Sequence, residues 1–269
     1  MKLKTTICHI ETGGRKMKLI IMSPKRRTKK VVGILWIHGG GYSLGMSEMV
    51  LVSCGKMLAE KFGGVVISPE YRLSGKAKYP AALNDCYAAL EYMDANKDSL
   101  GIDGIVVGGE SAGGGLAAAV CMLARDKGEI KVDMQLPLYP MLDCDDTPSS
   151  SNNRGLFWNT RKNRKAWKKY LGELYQSENV PAYASPSKAK DYSNLPKCYT
   201  FVCEGEPFYC ETLEYVKNLK NVGVKADVDV YPGRIHAFDM LFPYFKRSRE
   251  ARRKIAAVFK EFLKERGKL

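Results

Sequence analysis

The sequence lacks any apolar run close to the roughly 18 to 20 residues that a membrane-spanning helix needs. Its first residues do not predict a secretory signal, because Cys8, His9 and Glu11 interrupt the apolar stretch that such a signal requires. Its 8 cysteines are scattered and contain no Cys-x-x-Cys pair, which argues against disulfides and against a zinc site. We therefore expect a cytoplasmic protein with reduced core thiols, no bound metal and no membrane partner.

Acidic side chains are few relative to basic ones. Asp plus Glu total 29 against 43 Lys plus Arg, which gives a net charge of +14. Such a charge favours acidic partners, but neither a nucleic-acid-binding module nor a row of interleaved aromatic residues accompanies it. We predict solvated basic faces and no nucleic-acid partner. The basic residues cluster at Lys25-Arg26-Arg27 with Lys29-Lys30, from Arg161 to Lys169 and from Lys246 to Lys254.

Apolar runs rich in β-branched residues alternate with helix-compatible stretches along most of the 269 residues. This alternation predicts one α/β domain over residues 1–269, with a mainly parallel central sheet and helices on both of its faces. A turn at Thr12-Gly13-Gly14-Arg15 predicts that the sheet opens with an antiparallel hairpin. The further predicted strands are Lys18–Met22, Val31–Ile37, Val65–Ser68, Gly104–Gly108, Met134–Leu138, Tyr199–Cys203 and Ala226–Val230. The predicted helices are Glu48–Phe62, Ala81–Lys97, Ala112–Lys127, Tyr209–Val222 and Tyr244–Arg266.

One segment, at about 145–193, interrupts this alternation. It is polar and basic, and only Asn163–Tyr175 within it has an amphipathic pattern. Its apolar content is too low for independent folding. We predict a cap-like insertion that packs over the ends of the strands.

A nucleophilic serine is indicated by the run Val106-Val107-Gly108-Gly109-Glu110-Ser111-Ala112-Gly113. An apolar strand followed by Gly-x-Ser-x-Gly and a helix of small residues is typical of a sharp strand-to-helix turn that exposes a serine hydroxyl. The same short pattern occurs at Gly41-Tyr42-Ser43-Leu44-Gly45. Ser43 ranks far below Ser111 because it lies several residues beyond its strand, after three consecutive glycines, and has no oxyanion-type glycine loop upstream of that strand.

A second signal is His38-Gly39-Gly40-Gly41-Tyr42, which follows another apolar strand. Consecutive glycines allow backbone N–H groups to converge on one point, which is what a developing oxyanion requires. We predict that the amides of Gly40 and Gly41, with that of Ala112, form an oxyanion hole.

An activated serine needs a base, and the chain has 3 histidines. His9 lies in a predicted edge strand, and His38 more plausibly braces the glycine loop. His236 lies in the loop that follows the last predicted strand. Loops at the ends of strands are where α/β sheets place their sites. We predict that His236 is the base.

The acid that orients the histidine is expected between Ser111 and His236 in the chain. Glu204, Glu206 and Glu211 follow one strand closely and compete for this role, and Asp143 is a further alternative. Glu206 is favoured because it lies in the loop, whereas Glu204 adjoins the strand and Glu211 begins a helix.

Taken together, these motifs resemble the hormone-sensitive-lipase-like esterases of the α/β-hydrolase fold. The resemblance covers nearly the whole chain from residue 31 onward. The matching motifs are His38-Gly39-Gly40-Gly41-Tyr42, Pro69-Glu70-Tyr71-Arg72-Leu73, Tyr79-Pro80-Ala81-Ala82, Gly109-Glu110-Ser111-Ala112-Gly113, Ala184-Ser185-Pro186, Leu195-Pro196, Glu206-Pro207-Phe208 and His236-Ala237-Phe238.

The chain departs from that family's pattern in two places. Glu206 stands where the family usually has aspartate, and only 37 residues precede His38, where the family usually has a longer segment that helps to form a cap. The resemblance therefore implies an α/β-hydrolase fold with a reduced cap.

The predicted activity is a serine carboxylesterase that uses Ser111, His236 and Glu206, with no metal or organic cofactor. A reduced cap predicts an open site for a small ester with a short acyl group, such as acetyl or butyryl. An amidase or peptidase on the same fold and a non-catalytic small-molecule receptor are the alternatives, and a monomer or a homodimer is expected. The residues predicted to line the substrate pocket are Tyr42, Phe157, Trp158 and Phe208; Trp167 is a further candidate that shares with Trp158 the alternative of packing the insertion onto the body.

Overall fold

Eight strands form one sheet in a computed structural model that describes residues 2–26 and 29–268. Arg27, in the first basic cluster, lies outside the described residues. The strand order across the sheet is β1-β2-β4-β3-β5-β6-β7-β8. The strands are β1 (Leu3–Thr12), β2 (Arg15–Pro24), β3 (Val31–Ile37), β4 (Val65–Pro69), β5 (Ile102–Glu110), β6 (Met134–Leu138), β7 (Lys197–Cys203) and β8 (Ala226–Tyr231).

The sheet is mainly parallel, as the sequence predicts. β1 and β2 form the expected antiparallel hairpin, and β2 pairs antiparallel with β4. All the other neighbouring strands pair in parallel. The carboxyl ends of β3, β5, β7 and β8 therefore point in the same direction, and the loops that follow them meet at one edge of the sheet.

Helices cover both faces of the sheet. They are α1 (Cys54–Phe62), α2 (Ala81–Ala95), α3 (Lys97–Leu100), α4 (Ala112–Lys127), α5 (Thr160–Leu171), α6 (Tyr209–Asn221), α7 (Phe238–Leu241) and α8 (Lys246–Glu265). Side chains from α2, α4, α5 and α6 share one hydrophobic core, and side chains from α1 and α8 share the other. Among residues 2–26 and 29–268, no helix combines the length and apolar character that crossing a membrane requires.

Strand β3 contributes to both cores, because successive side chains in a strand point to opposite faces. Leu35 and Ile37 belong to the core with α4, and Ile34 and Trp36 belong to the core with α1 and α8. A strand buried on both faces is expected to be continuously apolar. The run Val31–Ile37 has this composition.

The helix predicted over Glu48–Phe62 is two elements instead. A 3-10 helix covers Ser47–Val52, and α1 begins at Cys54. Ser53 between them has an extended backbone, and its hydroxyl accepts a hydrogen bond from the amide of Lys56. Serine is a favoured N-cap residue because it satisfies a free amide in the first turn of a helix. This cap separates the two helices.

The segment 145–193 contains α5 and two 3-10 helices, Gly172–Leu174 and Pro186–Lys188. The buried face of α5 carries Trp167 and Tyr170, and these rings pack against Tyr42 of the glycine loop. The carbonyl of Tyr170 also accepts a hydrogen bond from the amide of Tyr79, at 2.8 Å. The segment therefore packs on the edge of the sheet where the strands end.

Candidate active site

Ser111 lies in the tight turn between β5 and α4. Its φ of 58° and ψ of −121° are a strained combination for a residue with a side chain, and such strain concentrates at functional sites. Gly109 and Gly113 flank it, and a Cβ on either one would collide with the carbonyl oxygen of Ile37 in β3. Glycine is needed on both sides because the turn passes directly against the neighbouring strand.

Hydrogen bonds from three directions hold the backbone of this turn. The Ser111 amide donates to the Leu138 carbonyl, and the Ser111 carbonyl accepts from Gly115 and Met141, all at 3.0 Å. The strained backbone is therefore fixed by both β6 and α4. The side chain of Ser111 is 6% exposed.

His236 lies between β8 and α7 and contacts both the serine and a carboxylate. Its Nε2 is 2.8 Å from the hydroxyl oxygen of Ser111, and its Nδ1 is 3.3 Å from Oε2 of Glu206. The structure thus brings together the three residues that the sequence predicts for catalysis. They come from three separate loops at the carboxyl ends of β5, β7 and β8.

Glu206 is fully buried, and burial raises its pKa while the neighbouring His236 lowers it. In the part of the chain that the structure describes, its second oxygen, Oε1, has no hydrogen-bond partner. A buried carboxylate that contacts the imidazole is suited to stabilise a positive charge on that imidazole.

The competing carboxylates lie in different surroundings. Glu204 is exposed at the surface. Glu211 is buried, and its Oε1 accepts from the amides of Leu142 and Asp143 at 2.7 and 3.2 Å, so it braces the loop after β6. Asp143 accepts from the amide of Asp145 at 3.0 Å. The structure places none of these three carboxylates against His236.

The glycine loop lies directly against the serine. A Cβ on Gly39 would be 3.3 Å from the Cβ of Ser111. Gly40 and Gly41 have φ values of +117° and +57°, in a region that favours glycine. Among the described residues, the amides of Gly40, Gly41 and Ala112 donate to no protein acceptor. These three donors remain available for a ligand.

Neither His38 nor His9 forms a hydrogen bond with the Ser111 hydroxyl. The buried ring of His38 stacks on Tyr71 with 4.1 Å between centroids, and its Nδ1 is 2.7 Å from the carbonyl of Gly39. His38 therefore braces the glycine loop, as expected. His9 is exposed on the edge strand β1. Ser43 bonds to Ser74 at 2.7 Å and not to a histidine.

Aromatic rings surround His236. The ring centroids of Phe208, Tyr139 and Trp158 lie 5.0, 5.1 and 6.3 Å from that of the imidazole. A Cβ on Gly41 would collide with the Trp158 ring. Trp158 therefore lies close to both the glycine loop and His236.

Two other predicted pocket residues lie elsewhere. Tyr42 is 1% exposed, stacks on Tyr170 at 3.9 Å and donates its hydroxyl to the carbonyl of Met141. Core packing therefore covers the ring of Tyr42, so in this structure its side chain presents no exposed face to a substrate. Trp167 is also buried, which supports its packing role. Phe157 is 37% exposed and contacts Phe242 at the protein surface.

The sequence does not predict a buried polar network that lies next to His236. Tyr139 donates its hydroxyl to Asp239 at 2.9 Å, and the thiol of Cys54 lies 3.6 Å from the same carboxylate. Trp36 donates to Glu110 at 2.7 Å. Burial, with the nearby charge of Asp239, raises the pKa of Glu110 to about 8. Tyr139 and Asp239 are 100 residues apart in the chain, so no local pattern signals their contact.

The described part of the chain contains one group of side chains that could hold a metal. It comprises Asp143, Cys144 and Asp145, whose potential ligand atoms all lie within 4.8 Å of one another. Asp145 pairs with Lys188, and Asp143 bonds to a backbone amide. These partners already occupy both carboxylates.

Residues 34–240 match the sequence family described as alpha/beta hydrolase fold. The chain belongs to this family. Among its curated relatives, Esterase LipI of Mycobacterium tuberculosis is 31% identical over 76% of the chain and 65% of its own length, just under two thirds. An arylesterase of Saccharolobus solfataricus is 32% identical over 91% of the chain and 79% of its own length.

Solved structures of the family have the same architecture. A bacterial heroin esterase superposes with a TM-score of 0.91 at 33% identity, over 97% of this chain and 84% of that one. Both the fold and the resemblance to hormone-sensitive-lipase-like esterases are thereby confirmed.

Proposed function

We propose that the protein is a serine carboxylesterase in which Ser111 is the nucleophile, His236 the general base and Glu206 the residue that orients the base. The observation that carries this proposal is the continuous chain of contacts from Ser111 through His236 to Glu206, at 2.8 and 3.3 Å. Serine, histidine and a carboxylate in this order constitute the machinery of acyl transfer on several unrelated folds.

In the proposed reaction, His236 takes the hydroxyl proton as the Ser111 oxygen attacks the ester carbonyl. The amides of Gly40, Gly41 and Ala112 stabilise the negative charge on the carbonyl oxygen, since none of them donates to an acceptor among the residues that the structure describes. His236 then protonates the leaving alcohol, and an acyl-enzyme remains. Water attacks this intermediate with His236 again as base, and Ser111 is regenerated.

We propose that the preferred acyl groups are short. Phe208 and Trp158 pack around His236, and both catalytic residues, Ser111 and His236, are 6% exposed. A long acyl chain needs a deep apolar tunnel, and the Trp158 ring, which contacts Gly41 and lies 6.3 Å from the His236 ring, takes up space around the site. The relatives named above are esterases by name, which agrees with an ester as the substrate.

A reducing compartment such as the cytoplasm is the proposed place of action. All 8 cysteines are free thiols, and Cys8 and Cys210 are the two that are not fully buried. Free thiols persist where glutathione keeps them reduced.

The test is hydrolysis of 4-nitrophenyl acetate, butyrate and octanoate by the wild-type protein, Ser111→Ala and Ser43→Ala. Turnover is expected to be fastest on the two short esters and to fall by at least about 1000-fold in Ser111→Ala. Ser43→Ala keeps most of the activity, because Ser43 has no histidine partner.

Wild-type turnover that survives in Ser111→Ala and disappears in Ser43→Ala would overturn the choice of nucleophile. A folded wild-type protein that cleaves 4-nitroacetanilide faster than the esters would instead indicate an amidase. Turnover of neither substrate class would indicate a receptor.

A further inference from the structure

A groove of about 350 Å³ adjoins the glycine loop. Gly40, Gly41 and Trp158 form one wall, and α5 forms the other with Lys162, Lys165 and Lys169. These three lysines are three and four residues apart, so they lie on one face of the helix. The groove therefore combines an apolar wall with a row of ammonium groups.

The lysines of the groove have no acidic partner. In residues 2–26 and 29–268, no ion pair includes Lys162, Lys165 or Lys169, and no carboxylate lines the groove. The ammonium of Lys162 donates to the carbonyls of Leu156 and Phe157, at 3.2 and 2.9 Å. By contrast, Arg164 on the same helix pairs with Asp146. The positive charge of the groove is thus not neutralised within the protein.

The groove and the proposed oxyanion hole share Gly40 and Gly41. A carbonyl oxygen bound to these amides places the rest of the ester within a few atoms of the groove. Trp158 packs against Gly41, lines the groove and has its ring centroid 6.3 Å from that of the catalytic His236. A charged group at the end of the substrate can therefore reach the lysines while its ester bond lies at Ser111.

We propose that this groove binds a carboxylate carried by the substrate, so that the preferred substrates are esters with one free carboxylate. This inference rests on the proposed esterase function and identifies its substrate class. Lys165 and Lys169 hold the carboxylate by charge, and the apolar wall accepts the carbon chain that joins it to the ester. Each exposed lysine contributes a modest preference, because water and salt screen its charge.

The test uses two pairs of esters that differ only in charge. One pair, 4-acetoxybenzoate and 4-acetoxybenzamide, carries the charge on the alcohol side. The other pair, the mono-4-nitrophenyl ester of adipate and its terminal amide, carries it on the acyl side. The measured quantity is the ratio of kcat/KM for the anionic ester to kcat/KM for the neutral one.

Two double variants remove the same number of charges from α5. In the groove variant, Lys165→Gln with Lys169→Gln removes two ammonium groups from the groove. In the control variant, Arg161→Gln with Lys168→Gln changes exposed side chains that do not line the groove. For at least one pair, the ratio is expected to fall about tenfold in the groove variant and to stay within about twofold in the control. The wild-type ratio should also fall between 0.05 and 0.5 M NaCl.

Equal ratios in the wild type and the groove variant for both pairs would overturn the proposal. An equal fall in both double variants would also overturn it, since that result would reflect the net charge of the protein and not the groove. Turnover of the neutral esters reports on the esterase function separately. If a folded wild-type protein cleaves none of the four esters, the proposed function fails and this inference fails with it.

Discussion

Glu206 differs from Glu204, Glu211 and Asp143 in its partner, and from Glu204 also in its burial. It is fully buried against His236, whereas Glu204 two residues earlier is exposed. Sequence reasoning favours Glu206 because it lies in the loop after the strand, but it leaves Glu204, Glu211 and Asp143 open. The choice depends on which side chain turns inward against His236, and no local pattern in the sequence indicates that.

The change Glu206→Gln is expected to lower kcat by at least about 100-fold, because a neutral amide cannot stabilise the imidazolium that forms during the reaction. Glu204→Gln is the matched control, with the same chemical change at the surface, and its kcat should stay within about twofold of the wild type. Steady-state hydrolysis of 4-nitrophenyl butyrate measures both variants, and circular dichroism checks that they are folded. Equal activity of the two variants would show that another residue orients His236.

At the scale of elements, local signals predict the strands and most helices well. The bounds of β3, β6 and α4 agree with those predicted, because a strand, turn or cap signal marks both of their ends. Two differences also have local causes. Ser53 caps α1 and so divides the predicted helix, and α7 has only four residues, too few to give a periodic pattern.

The function of the glycine loop depends on its close packing against Trp158, and a substitution at Gly41 tests this dependence. In Gly41→Ala the new methyl group would collide with Trp158, so both the loop amides and the tryptophan must move. We expect kcat/KM to fall at least about tenfold, since oxyanion donors act only at the correct distance. The measurement is steady-state hydrolysis of 4-nitrophenyl acetate, together with thermal unfolding.

Gly14→Ala is the control for this change. Gly14 has a positive φ of 73°, similar to the 57° of Gly41, but no atom lies within 4 Å of the added methyl group. Both variants therefore carry comparable backbone strain, and only one meets the tryptophan. If both variants lose activity equally, or if neither does, the packing of Trp158 on the glycine loop is not what positions the donors.

At the scale of the whole molecule, sequence alternation predicts a mainly parallel sheet but not the order of its strands. The order follows from long-range pairing, for example of β3 with β5 across 64 or more residues of intervening chain. The burial of Tyr42 has a similar cause. Its neighbours Trp167 and Tyr170 belong to the 145–193 segment, more than 120 residues later in the chain. Contacts of this kind leave no local pattern in the sequence.

The buried carboxyl of Glu110 makes the stability of the fold depend on pH. Its pKa is about 8 in the folded protein, against an ordinary value of 4.5. Between these pH values the folded state binds more protons than the unfolded state, so the free energy of unfolding falls as pH rises. Above about pH 8 Glu110 is ionised in both the folded and the unfolded state, so its contribution to the free energy of unfolding no longer changes with pH.

In Glu110→Gln that contribution disappears, because glutamine does not ionise. From pH 5 to pH 8.5 the wild type is expected to lose on the order of 2 to 4 kcal/mol more stability than the variant. Urea unfolding of each protein at both pH values gives the change in its free energy of unfolding. Titratable groups that the two proteins share cancel when one change is subtracted from the other. The same loss of stability in both proteins would contradict a proton on Glu110 in the folded state.

The central claim is that Ser111, activated by His236, is the nucleophile. Its most direct test is peptide mass spectrometry after treatment with ethyl 4-nitrophenyl methylphosphonate, which transfers its phosphonyl group to an activated serine and releases 4-nitrophenolate. We predict one adduct per chain, on the peptide that contains Ser111, and no adduct in Ser111→Ala. An adduct on Ser43, or equal labelling of Ser111→Ala and the wild type, would contradict the account.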